Sequence, residues 1–124
     1  MNTDMKILIV DDFATMRRIL KGALKQLGFK NFVEAEDGSE AITLLKKEKV
    51  DLILSDWNMP KMNGLEFLKA VRADAGLKQT PFIMVTAEGQ KDNVVDAIKA
   101  GVTNYIIKPF APEALGEKLK KVFG

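Results

Sequence analysis

Charged residues stand where the apolar runs of this chain stop. Lys6-Ile7-Leu8-Ile9-Val10 ends in the pair Asp11-Asp12, and Val50-Asp51-Leu52-Ile53-Leu54-Ser55 ends in Asp56, before the polar turn Trp57-Asn58-Met59-Pro60. A further run, Ile106-Ile107, ends in Lys108-Pro109. Each reads as a buried strand delivering a charge to a rim, and in an open parallel sheet ligands bind beyond the carboxyl ends of the strands. Three carboxylates gathered there repel one another, and partial burial raises the cost, so such a cluster persists when something positive neutralises it. Mg²⁺ suits the place, because it takes oxygen ligands, keeps several waters, and is commonly held by one or two carboxylates plus a phosphate oxygen. Lys108 is the protein's own candidate cation.

Composition narrows the chemistry further. The 124 residues include no Cys and no His, which removes thiolate nucleophiles, disulfides, the commonest general base and the commonest transition-metal ligand. Catalysis must run on carboxylates, hydroxyls, lysine and metal. The formal charge of +2 is a small remainder of 19 basic and 17 acidic side chains, so no nucleic-acid partner is expected. Arg17-Arg18-Lys21-Lys25 reads as a solvated helix face, and Lys118-Lys120-Lys121 as favourable charge at a helix C-terminus. No apolar run approaches membrane-spanning length and no signal-peptide pattern opens the chain. The expectation is a cytoplasmic monomer without membrane insertion, with residues 1–124 forming a single domain.

The elements that must position these residues follow from periodicity. Lys6 to Val10 is apolar on successive residues from Ile7, as in a parallel strand covered on both faces. Phe13, Met16, Ile19-Leu20, Ala23-Leu24 and Leu27 recur at helical spacing, with Gly28 as the stop. Phe32 to Ala35 is a short, less apolar strand suited to a sheet edge. Asp37-Gly38-Ser39-Glu40 and Asn63-Gly64-Leu65-Glu66 each predict a capping box opening a helix. Pro81 to Thr86 is the fourth strand. Lys91 to Ala100, with Val94-Val95 and Ile98 at helical spacing and Gly89 before it, predicts a weakly held helix. Val102 to Ile107 is the fifth strand, and Pro112 opens the last helix, with Leu115, Leu119 and Val122-Phe123 inward. Strands alternating with helices indicate an α/β fold with a doubly wound five-stranded parallel sheet flanked by five helices.

Four pieces in order, Asp11-Asp12, Ser55-Asp56-Trp57-Asn58-Met59-Pro60-x-Met62-x-Gly64, Thr86-Ala87-Glu88 and Tyr105-x-x-Lys108-Pro109-Phe110, resemble the receiver domain of bacterial response regulators. Trp57 to Pro60, Phe13-x-Thr15-Met16-Arg17-Arg18 and Thr86-Ala87-Glu88 are most similar to its single-domain chemotaxis members. The resemblance covers the whole chain. It implies the flavodoxin-like strand order 2-1-3-4-5, Asp56 as phosphoacceptor, and Mg²⁺ held by Asp12, Asp56, the Asn58 carbonyl and, through water, Asp11. It further implies that Lys108 and Thr86 contact phosphoryl oxygens, that Tyr105 and Ala87 form a switch, and that the Lys108-Pro109 peptide is cis. The partners implied are a histidine kinase, the flagellar motor switch and, from Asn58 and Glu88, a phosphatase. Such a protein is a signalling switch and not an enzyme with a separate substrate.

The chemistry agrees with this reading residue by residue. A carboxylate can accept a phosphoryl group as an acyl phosphate when the charge on the transferring group is neutralised. Taken singly, Thr86 also fits an ordinary strand threonine, Lys108 a surface lysine, and Tyr105 core packing. A phosphatase with an Asp nucleophile and Mg²⁺ needs a second acid two residues on, where this chain has Asn58. An FMN carrier on the same sheet needs a glycine- and hydroxyl-rich loop, where this chain has Asp11-Asp12-Phe13. The alternative within the family is a stand-alone receiver of another two-component system or phosphorelay, with a different output partner. Ala111 departs from the expected hydroxyl cap before the last helix.

Overall fold

The computed structural model describes residues 2–87 and 91–124, with backbone alone for residues 87, 91 and 92. Glu88 and Gly89 therefore lie outside the described residues, as does the side chain of Ala87. The apolar runs form strands at Lys6–Val10 (β1), Asn31–Ala35 (β2), Leu52–Asp56 (β3), Phe82–Ala87 (β4) and Asn104–Lys108 (β5). They pair in parallel in the order β2-β1-β3-β4-β5, so the less apolar β2 stands at an edge as expected. Helices run over Ala14–Gln26 (α1), Gly38–Lys47 (α2), Gly64–Ala73 (α3), Lys91–Lys99 (α4) and Pro112–Phe123 (α5).

Successive strand residues point to opposite faces, and each face carries its own core. Ile7, Ile9, Leu54 and Val85 pack with Leu20 and Leu24 of α1 and Leu115 and Leu119 of α5. Leu8, Val10, Ile53 and Met84 pack with Leu45 of α2, Phe67 and Leu68 of α3 and Ala97 of α4. Both faces of the central strands are sealed, which is why β1 and β3 read as unbroken apolar runs. The register Val10↔Ser55 and Asp56↔Val85 sets the ends of β1, β3 and β4 side by side, and Ala87↔Lys108 brings β5 to the same rim. At the opposite rim the Arg72 guanidinium donates to the carbonyls of Thr80 at 2.7 Å and Gly101 at 2.8 Å, tying the turns before β4 and β5 together.

Local expectations met different fates. The capping box of α3 closes in both halves, Glu66 N–H to Asn63 and Asn63 N–H to the Glu66 carboxylate. At α2 the structure gives the Asp37 half, which accepts from Glu40 N–H at 2.9 Å. Ala111 caps α5 with no side-chain bond, as its missing hydroxyl requires. Phe13 and Ile19 are corrections: both are exposed, at 69% and 52%. Phe13 is the N-cap of α1, with extended backbone, so helical spacing does not govern it, and Ile19 falls at the edge of the stripe of Leu20, Ala23 and Leu24. Among the described side chains of α4, Ala97 is the buried one, while Val95 and Ile98 are exposed.

Gly64 is required by a close approach. A Cβ there would run into the Asp56 carbonyl oxygen, the Met84 sulfur and the Trp57 Cα, while its N–H donates to the Trp57 carbonyl at 2.8 Å. Gly22, in the middle of α1, has nothing within 4 Å of the same virtual atom. Urea unfolding should therefore separate the two: Gly64→Ala destabilises by about 1–3 kcal/mol through overpacking, whereas Gly22→Ala stabilises by about 0.5–1 kcal/mol through helix propensity. Equal responses would contradict this packing.

Candidate functional site

β1 and β3 end where their apolar cores end, and the residues just beyond are carboxylates facing one another. Oxygens of Asp11, Asp12 and Asp56 lie within 4.8 Å of one another. Asp11 has no solvent exposure and Asp56 has 6%, while Asp12 is exposed. Asp11 is fixed by its own backbone, since its N–H donates to the Ala35 carbonyl at 3.1 Å and its Oδ1 accepts from Phe13 N–H at 2.9 Å. Its Oδ2 is buried with no hydrogen-bond partner. Burial pushes the Asp11 carboxyl up to about 6; the Phe13 N–H opposes this, the charge of Asp56 adds to it, Lys108 opposes it, and Asp12 adds a last increment.

Asp56 is held through one oxygen. Oδ1 accepts from Trp57 N–H at 2.8 Å and from the Lys108 ammonium at 3.0 Å. Among the described residues nothing donates to Oδ2. The Ser55 hydroxyl donates to the Asp56 carbonyl at 2.9 Å and stiffens the strand end. Lys108 reaches the site from the end of β5, and its peptide to Pro109 is cis, as the sequence resemblance implied. Thr86, at the end of β4, is buried with its hydroxyl unpartnered. Asn58 lies exposed in the turn after Asp56.

The arrangement thus has a deficit of positive charge. Among the described residues one lysine is bonded to the three carboxylates, at Asp56 alone, and two buried polar atoms, Asp11 Oδ2 and Thr86 Oγ1, are without partners where such atoms are ordinarily satisfied. An all-oxygen donor set of this kind is compatible with a hard cation beside an anionic oxygen. The structure therefore brings Asp11, Asp12, Asp56 and Lys108 to one rim and sets Thr86 at the same end of the neighbouring strand. Tyr105 is half-buried on β5, with the Lys118 ammonium 5.0 Å from its ring centre. Exposed Val95 and Ile98 on α4 and Ile107 on β5 leave apolar surface on that side.

Sequence reasoning missed two participants. Arg17, read as part of a solvated face, is only 13% exposed at its side chain and donates to the Asp11 carbonyl at 2.6 Å and to Glu34 at 2.9 Å. Side chains on a helix lean toward its N-terminus, and one turn into α1 that direction leads back to the end of β1, which was the available signal. Lys118 over Tyr105 left no such trace, because it joins α5 to β5 across the fold.

Several known proteins are similar to this chain in sequence or fold. The family model of the response regulator receiver domain matches residues 7–120. Chemotaxis protein CheY-3 of Vibrio cholerae is 52% identical over 123 residues, covering 99% of this chain and 95% of its own. Chemotaxis protein CheY of Pseudomonas aeruginosa is 52% identical over 119 residues, covering 96% of each. Among solved structures, chemotaxis response regulator CheY4 of Vibrio cholerae superposes with a TM-score of 0.88 at 38% identity, covering 98% of this chain and all of its own. The receiver domain of the Pseudomonas aeruginosa sensor histidine kinase PA1611, with a magnesium ion coordinated in its active-site cleft, gives 0.85 at 25% identity and covers 95% of this chain and 96% of its own.

The raised Asp11 carboxyl fixes the sign of a pH effect. In the metal-free protein the folded state favours the protonated acid, so stability is full below the ordinary carboxylate range and is lost as pH rises through about 6. Asp11→Asn keeps an oxygen for the Phe13 N–H and removes the charge. In chelator, the variant should match the parent near pH 4 and exceed it by roughly 1–3 kcal/mol above pH 7. A variant less stable than the parent at pH 7 would contradict the strained cluster.

Proposed function

Because this chain belongs to the response regulator receiver domain family, and is a chemotaxis-type, CheY-like signalling receiver, we propose that it is a phosphorylation-driven switch in which Asp56 accepts a phosphoryl group from a histidine kinase. The observation that carries this reading is Asp56 itself, buried at a strand end, with one oxygen held by Lys108 and Trp57 N–H and the other open beside two further carboxylates. Asp11, Asp12, Asp56 and the Asn58 carbonyl would hold Mg²⁺; when bound it supplies positive charge to a phosphoryl oxygen. Asp56 Oδ2 attacks phosphorus, the bond from phosphorus to the donor nitrogen breaks, and the electron pair leaves with the donor histidine. Lys108 then exchanges its carboxylate partner for a phosphoryl oxygen, and the unpartnered Thr86 hydroxyl donates to another.

Movement of Thr86 toward that oxygen links the site to Tyr105, two strand positions before Ile107, the partner of Thr86 in the ladder. The face formed by α4, β5 and α5 carries exposed Val95, Ile98 and Ile107, and we assign it to the flagellar motor switch. No helix among the described residues is long and apolar enough to cross a membrane. Asn58 and Glu88 leave room for a phosphatase partner.

Incubation with a small acyl phosphate and Mg²⁺ should label the chain once, at Asp56, with a label labile to hydroxylamine. Asp56→Asn should abolish it, since an amide is not a competent nucleophile. Lys108→Arg should still take the label but fail to couple it to binding of motor-switch protein, because a planar fork replaces the compact ammonium. Stoichiometric labelling of Asp56→Asn on a serine or threonine would overturn the assignment. Full coupling in Lys108→Arg would overturn the role of the lysine. Binding of the labelled protein to a different output protein alone would transfer the reading to another two-component system.

A further inference from the structure

Resting on that reading, we propose that Arg17 is a positioning residue of the cation site, acting through the backbone of Asp11 and not through any carboxylate of the cluster. Its guanidinium donates from Nη1 to the Asp11 carbonyl at 2.6 Å and from Nε to Glu34 Oε1 at 2.9 Å. Glu34 lies on β2 opposite Ile9, and its second oxygen accepts from Lys21 at 2.8 Å. The Lys21 ammonium and the Arg17 guanidinium together hold the Glu34 carboxyl below its ordinary range, which keeps this anchor ionised.

The consequence for the site is geometric. The peptide that carries the Asp11 carbonyl is the one that joins Asp11 to Asp12, so clamping that oxygen fixes the peptide plane and with it the direction in which Asp12 leaves the backbone. Asp11 is already fixed on its other side by the Ala35 carbonyl and the Phe13 N–H. Asp12 is exposed, and Arg17 supplies the constraint on its side of the peptide. Arg17 also brings positive charge near the cluster without occupying a carboxylate oxygen, which leaves those oxygens available to a cation. A plain surface ion pair would tie α1 to β2 and nothing more; the short bond to a main-chain carbonyl at the site rim is what separates the two. Groups that orient ligands in this way typically alter metal affinity by about 10–100-fold when removed.

The test is Mg²⁺ titration followed by Trp57 fluorescence, with thermal unfolding of each metal-free protein alongside. Arg17→Met and Arg17→Lys should each weaken Mg²⁺ binding about tenfold or more, because methionine has no donor and a single ammonium cannot serve both Glu34 and the carbonyl, while each unfolds near the parental temperature. Lys21→Met, which removes the neighbouring charge and leaves the carbonyl clamp, should bind within about twofold of the parent. Parental affinity in Arg17→Met overturns this inference alone. So does a loss in Lys21→Met equal to that in Arg17→Met, which would make the effect one of net charge. A parent whose fluorescence ignores Mg²⁺ overturns the proposed cation site and this inference together.

Discussion

Negative charge crowded at the carboxyl edge of the sheet is the constraint on which the site depends. Two of its carboxylates are almost wholly buried, and among the described residues one ammonium, that of Lys108, binds one oxygen of one aspartate. Water cannot screen such a group fully, so the fold must hold it by force of packing: sealed strands on both faces, a glycine at position 64 where any side chain would strike the Asp56 carbonyl, and main-chain donors at Phe13 and Trp57. The resulting instability is local and useful. Whatever brings positive charge to this rim gains from relieving it, and the unpartnered oxygens of Asp11 and Thr86 show where the deficit lies.

The proposed switch would need a path from this small site to a distant surface. β4 and β5 run from the rim into the sheet side by side, with Thr86 opposite Ile107, so under the proposed function a shift at Thr86 would pass through paired backbone to the strand that carries Tyr105. α4 rests on the sheet through Ala97, while its C-terminal end is anchored by Arg72 at the Gly101 carbonyl. α1 and α5 pack on the other face of the sheet through paired leucines.

Much of this was legible in the residues. The strand ends could be read because an unbroken aliphatic run terminating in a charge is costly anywhere except at a rim, and Asp11, Asp12, Asp56 and Lys108 all obeyed that rule. Helix starts were readable from Asn63 and Glu66, whose spacing is itself the hydrogen-bond geometry. The failures came where tertiary placement outweighs pattern. Phe13 is apolar yet exposed because a cap residue belongs to no helical face, and Val95 and Ile98 are exposed because α4 turns its smallest residue inward. Arg17 looked like one charge in a solvated series, and only the fold brings Glu34 of β2 and the Asp11 carbonyl within its reach.

The central claim is that the acidic rim is short of positive charge and takes one divalent cation to complete it. The most direct measurement is the thermal unfolding midpoint at pH 7.5 and constant ionic strength as Mg²⁺ is raised, for the parent, Asp12→Ala and Asp56→Asn. A ligand that binds the folded state alone stabilises it by about 1.4 kcal/mol at ten times its dissociation constant. The parental midpoint should therefore rise along a one-site curve while both variants stay nearly flat. Equal rises in all three proteins, or no rise in the parent, would contradict the account.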